Sequence, residues 1–183
     1  MSRILSYGMA GGGIGSLIGP AHRKAIAMDG KAALRAGCFS RQEEHNRQTG
    51  EALGIESGRI YKDYIEMAAA EKERTDKIDF VVIVTPNVSH YAIARTFLEA
   101  GIAVVCDKPL AMTAEEAGQL CALAEQKELL FMVTYVYSGY TAVKQIRSMI
   151  EQGAIGRIRT IAAEYPQGWL AKEDMTGNRQ AAW

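Results

Sequence analysis

Short apolar runs alternate with amphipathic stretches along the whole chain. Strand-length runs occupy residues 4–9, 33–39, 79–85, 103–106 and 129–133. Phe80-Val81-Val82-Ile83-Val84 is unbroken and mostly β-branched, which predicts a strand covered on both faces. Helical patterns fill the intervals: one from Gly19-Pro20, one over 41–53, one through Ala70, then 88–100, 113–127 and 139–152. Proline is tolerated in the first turn of a helix and is costly further in, so Pro20 sets the start of the first helix. Thr113 and Glu116 form a capping box for the fifth.

Regular strand–helix alternation with short connections predicts an α/β fold with a doubly wound parallel sheet. Residues 1–135 are expected to form one nucleotide-binding domain. Residues 136–183 are expected to hold a linking helix and the start of an incomplete second domain, with 158–164 as its first strand. Such a lone apolar edge predicts partial disorder after Gly156 or pairing with another chain. Residues 177–183 offer no finished element, so the chain is expected to be a fragment or a naturally shortened protein.

Lys and Arg together number 21, as do Asp and Glu, so no positive excess exists to hold a nucleic acid. The mixed-sign cluster Glu71-Lys72-Glu73-Arg74 reads as a solvated helix face. Cys38, Cys106 and Cys121 are odd in number and lack CxxC spacing, which argues against a disulfide framework and against a metal site. Free thiols fit a cytoplasmic location, and neither a signal peptide nor a membrane span is expected. Met112, Met132 and Met149 read as core fillers.

Ligands of doubly wound sheets sit beyond the carboxyl ends of the strands. There the chain carries Gly11, Gly12, Gly13, Ile14 and Gly15 after the first strand, with Gly19 as a close-packing glycine at the helix start. Glycines let the backbone approach a pyrophosphate, and the N–H groups of the next helix favour its charge. Ser40 and Arg41 stand where an acid would select NAD and an arginine NADP. No acid precedes Glu43, which leans the expectation to NADP. Thr85, Pro86 and Asn87 end the strongest strand, with polar groups expected to face the cofactor. His90 is expected either to touch the cofactor or to be a satisfied helix-start histidine. His22 is expected to be structural. Asp107, Lys108 and Pro109 end the fourth strand and are expected to contact the cofactor. Lys108 is the expected catalytic group, stabilising alkoxide charge or relaying a proton, with Asp107 orienting it.

These motifs, in this order, resemble the Gfo/Idh/MocA oxidoreductases, the glucose-fructose oxidoreductase and inositol dehydrogenase group. The resemblance rests on Gly11-Gly12-Gly13 through Gly19-Pro20-Ala21-His22, Thr85-Pro86-Asn87-Val88-Ser89-His90, Asp107-Lys108-Pro109-Leu110 and Gly153-Ala154-Ile155-Gly156-Arg157-Ile158. It implies an N-terminal Rossmann domain binding NAD or NADP, a second α/β domain carrying much of the substrate site, and a sugar, inositol or related polyol as substrate. Subunit contacts through the second domain's open sheet, and so a homo-oligomer, are also implied. The family's usual Glu before Lys-Pro is Asp107 here, and its downstream Asp and His would lie beyond Trp183. Tyr135, Tyr137 and Tyr140 fall where the family places residues near nicotinamide and substrate, or where they pack on the second domain. Trp169 has the same two readings. A non-catalytic dinucleotide-binding module stays open as the alternative. A methyltransferase predicts an acid after the second strand and no use for Asp107-Lys108-Pro109, the opposite of what stands here.

Overall fold

The computed structural model describes residues 3–166 and Gly168. They divide into two compact units, with the boundary between Val136 and Tyr137. In the first unit β1 (Leu5–Gly11), β2 (Ala32–Cys38), β3 (Phe80–Val84), β4 (Ala103–Cys106) and β5 (Phe131–Val133) form a parallel five-stranded sheet of order β2-β1-β3-β4-β5. Helices α1 (Gly19–Ala27), α2 (Glu43–Ala52), α3 (Tyr64–Glu73), α4 (His90–Glu99) and α5 (Ala114–Gln126) connect and cover it. An isolated parallel bridge, Gly37 to Ile60, stands outside β2, where the third strand of a six-stranded Rossmann sheet would pair. Strand order reverses between β1 and β3. That switch point leaves a crevice at the carboxyl ends of the strands.

Strand β3 is covered on both faces, as its apolar run predicts. Val81 and Ile83 enter a core with Ala10, Phe97, Leu98 and Leu120, whereas Val82 and Val84 join Tyr7, Met9, Phe39 and Val105 on the other face. Thr113 Oγ1 accepts from the Glu116 N–H at 3.2 Å, and Glu116 returns an oxygen to the Met112 N–H at 3.0 Å. Asp63, which the sequence reading passed over, caps α3 by accepting from the N–H groups of Ile65 and Glu66.

The expectation of a solvated 71–74 face is corrected at Glu71, whose relative exposure is 0%. Glu71 accepts from Arg59 Nη2 at 2.6 Å and Nε at 3.0 Å, from Tyr61 Oη at 2.8 Å and from the Ile78 N–H at 3.0 Å. A buried carboxylate is tolerable only with its lone pairs filled in this way. The methionine expectation is also corrected, because Met112, Met132 and Met149 are all exposed. Met112 sits in a loop and Met132 on the edge strand β5, where few neighbours enclose a side chain.

In the second unit α6 (Thr141–Glu151) carries an exposed apolar stripe of Val143, Ile146 and Ile150, with Met149 beside it. The Tyr137 ring meets Tyr140 and Tyr165 edge-on at centroid distances of 5.4 and 5.5 Å. Residues 158–164 form no strand, which corrects that expectation; a strand needs a ladder partner, and none is present among the described residues. Trp169 and residues 177–183 lie outside the described residues.

Candidate cofactor site

Strand β1 runs directly into the glycine loop, where the backbone must fold back on itself. Gly12 has φ of +74°, a conformation L side chains rarely adopt. Gly19, the first residue of α1, rests on it: a Cβ there would lie 2.6 Å from Gly12 Cα and 2.8 Å from Gly12 O. Arg23, one turn further along α1, donates to Gly12 O at 2.8 Å. On the far side α2 pins the loop. The Ile14 N–H donates to Thr49 Oγ1 at 3.2 Å, and His45 Nε2 lies 3.1 Å from Ile14 O. The Ile14 amide, expected to serve the cofactor, is therefore committed to Thr49. Ser16 Oγ is buried and has no hydrogen-bond partner among the described residues.

The resulting crevice has a volume of about 640 Å³ and is lined by residues 10–16, Cys38 to Arg41, His45, Lys62 to Tyr64, Val84 to Pro86, Ser89 and Ile93. It brings Gly11, Gly12, Gly13, Ile14, Gly15, Ser40, Arg41, Thr85 and Pro86 together. Asn87, His90, Asp107, Lys108 and Pro109 do not line it. A dinucleotide fits these features. The loop admits backbone approach with no Cβ in the way, Gly19 seats the start of α1 against it, and an anionic oxygen would give Ser16 Oγ the partner it lacks.

Lys62, His45 and Asp63 were missed by sequence reasoning: His45 reaches the loop from α2, and the segment carrying Lys62 and Asp63 is tied in through Asn46. That buried side chain accepts from the Phe39 N–H at 2.6 Å and donates to Tyr61 O at 2.8 Å, tying the loop after β2 to the loop before α3. Arg41 and Lys62 both line the crevice, and neither takes part in a described ion pair. Asp63 is the carboxylate among the lining residues, and its Oδ1 is held by the α3 amides.

At the ends of β3 and β4 the polar groups are tightly engaged. Thr85 Oγ1 accepts from Ser89 Oγ at 2.8 Å. Asp107 Oδ1 accepts from Thr134 Oγ1 at 3.0 Å and lies 3.7 Å from His22 Nε2. Burial pushes the Asp107 carboxyl up, but the His22 ring, the Lys108 backbone N–H and the Thr134 hydroxyl together hold it below the ordinary value. Lys108 is half-buried, and the Lys108–Pro109 peptide is cis. His90 is fully buried, with both ring nitrogens against backbone carbonyls, so it has no polar atom left for a ligand. The cofactor-contact expectation for His90 is corrected accordingly.

The family described as "Oxidoreductase family, NAD-binding Rossmann fold" (GFO_IDH_MocA) matches residues 5–135. The chain belongs to the Gfo/Idh/MocA oxidoreductases. An uncharacterized oxidoreductase of Bacillus subtilis, YfiI, is 41% identical over 175 residues, which cover 95% of this chain and 44% of YfiI. Levoglucosan dehydrogenase of Pseudarthrobacter phenanthrenivorans is 40% identical over 94 residues, 51% of this chain and 24% of that enzyme. The crystal structure of an inositol dehydrogenase homolog from Azotobacter vinelandii, complexed with NAD+, superposes with a TM-score of 0.92. It is 37% identical and covers 100% of this chain and 47% of its own. The chain thus spans about half the length, or less, of these Gfo/Idh/MocA relatives.

Burial, with the charge of Asp63, pushes the Cys38 thiol up to about 12, and burial with Asp107 does the same for Cys106. Cys121 is exposed on α5. At pH 8 a thiol reagent is expected to modify Cys121 rapidly and leave Cys38 and Cys106 unmodified until the chain unfolds. Mass mapping of labelled peptides checks this, and fast labelling of Cys38 in the folded protein would contradict it.

Proposed function

We propose that this chain is the cofactor-binding part of an oxidoreductase that moves hydride between NADP or NAD and a hydroxyl or carbonyl of a sugar, inositol or related polyol. The carrying observation is the crevice at the β1/β3 switch point, walled by the Gly11–Ser16 loop that Gly19 packs against and that holds the orphaned Ser16 hydroxyl. A bound nicotinamide supplies the hydride chemistry. The chain's own contribution is position and charge. Lys108 holds a positive charge and a transferable proton at the carboxyl end of β4, where a substrate oxygen gains or loses its proton. Asp107, kept ionised by Thr134 and His22, fixes the loop that carries Lys108. Free thiols support a cytoplasmic setting. No described helix is long and apolar enough to cross a membrane.

The Azotobacter homolog holds NAD+. For this chain, Arg41 and Lys62 support NADP, because a 2′-phosphate would meet two cations there while Asp63 is engaged as a helix cap. Fluorescence titration with NADPH and NADH tests the reading. NADPH is expected to bind more tightly. Arg41→Ala and Lys62→Ala are each expected to weaken NADPH about tenfold, about 1.4 kcal/mol, with little change for NADH. Lys108→Ala is expected to leave both affinities near their starting values. A folded chain that binds neither nucleotide would sink the dinucleotide reading, and equal losses for NADH and NADPH in both crevice variants would sink the selectivity.

A further inference from the structure

One buried side chain joins the loop that walls the crevice to the loop that carries Lys108. His90, with a relative exposure of 0%, places Nδ1 2.7 Å from Pro109 O and Nε2 2.9 Å from Thr85 O. Carbonyl oxygens only accept, so both contacts are hydrogen bonds only if both ring nitrogens donate. A neutral imidazole has a single N–H and would press its remaining lone pair against a carbonyl at one of these distances.

We infer that His90 carries a proton on both ring nitrogens and acts as a two-donor strut, a positioning residue that fixes the Lys108–Pro109 segment against Thr85 in the crevice wall. None of the described ion pairs includes His90, so carbonyl dipoles hold the charge. Burial and the positive end of the α4 dipole, which begins at His90, oppose that charge. Against them stand two charge-assisted hydrogen bonds, each about twice as strong as a neutral one, and the repulsion a bare ring nitrogen would meet at a carbonyl oxygen. Thr85 belongs to the lining of the crevice, and Pro109 directly follows Lys108. The geometry of one loop is therefore transmitted to the other through a single ring. The protonation follows from the hydrogen bonds alone, whereas the effect on the crevice rests on the dinucleotide reading above.

The chain has 3 histidines, which makes the ring nitrogens directly observable by NMR of protein labelled with 15N-histidine. His22→Gln and His45→Gln remove the other signals and assign His90. At pH 7 the expected spectrum has two protonated ring nitrogens for His90, with ring N–H protons slow to exchange. One protonated and one bare nitrogen would overturn the strut. His90→Phe keeps ring volume and removes both donors. It is expected to weaken NADH and NADPH alike, by about tenfold, unlike Arg41→Ala, which acts on the 2′-phosphate alone. Unchanged affinities in a folded His90→Phe protein would overturn the positioning role even with the doubly protonated ring observed. Should His90→Phe not fold, or should the wild-type chain bind neither nucleotide, the wild-type ring spectrum still decides whether His90 is a two-donor strut between Thr85 and Pro109.

Discussion

Glu71→Ala is expected to destabilise the first unit by about 3–5 kcal/mol, a large share of the roughly 5–15 kcal/mol that holds a domain together. The carboxylate is fully buried and serves both prongs of Arg59, the Tyr61 hydroxyl and the Ile78 N–H. Removing it leaves a guanidinium in the interior with only Asp76, at 3.3 Å on the rim, as a remaining partner. Two other donors are orphaned as well. Urea denaturation reads the loss as a lower midpoint with an unchanged slope. A shift worth less than about 1 kcal/mol would mean that water reaches Arg59 and the cluster is weak. Tyr61 reports on the same cluster. Burial, the hydrogen bond to Glu71 and the Glu71 charge push its phenol up to about 12 from an ordinary value near 10. The folded state therefore holds this proton more tightly than the unfolded chain. Its contribution is fully present below the ordinary value and is lost as pH rises through about 12. Ultraviolet titration of Glu71→Ala should show that phenol ionising at lower pH than in the wild type.

Gly19→Ala is expected to weaken nucleotide binding about a hundredfold, the equivalent of losing two charge-assisted hydrogen bonds of about 1.5 kcal/mol each. The new Cβ would sit 2.6 Å from Gly12 Cα and 2.8 Å from Gly12 O, backbone atoms that cannot rotate aside, and 2.7 Å from Ser16 Oγ. α1 must move away from the loop, which displaces the Gly12 turn proposed to cradle a pyrophosphate. Overpacking of this kind also costs about 1–3 kcal/mol of stability. Gly118→Ala is the control: Gly118 lies on α5 outside the crevice lining with open space around it, so affinity is expected to stay unchanged. Equal affinities for wild type and Gly19→Ala would show that the helix start does not face the ligand.

The sequence by itself determined the layered fold. The unbroken run over Phe80–Val84 required a strand enclosed on both faces, Pro20 set the start of α1, and Thr113 with Glu116 set the start of α5. These are local effects, in which a residue's own backbone preference or its spacing to a neighbour a few positions away decides the outcome. The glycine loop and the ends of β2 and β3 could be placed at one crevice for the same reason: parallel strands bring their carboxyl ends to one edge.

Only the tertiary structure decided the contents of that edge. Lys62 joins Arg41 because Asn46 binds two loops far apart in sequence, and Ile14 loses its amide to Thr49 on α2. Glu71 looks like a surface acid in a mixed-charge run, yet Arg59 and Tyr61 draw it inside. His90 looks like a ligand beside a cofactor motif, yet Thr85 and Pro109 take both its nitrogens. In each case the deciding partner is a hydrogen-bonding group brought near by packing. Periodicity records which face of an element is apolar, and carries no information about which polar groups will meet once those faces are buried.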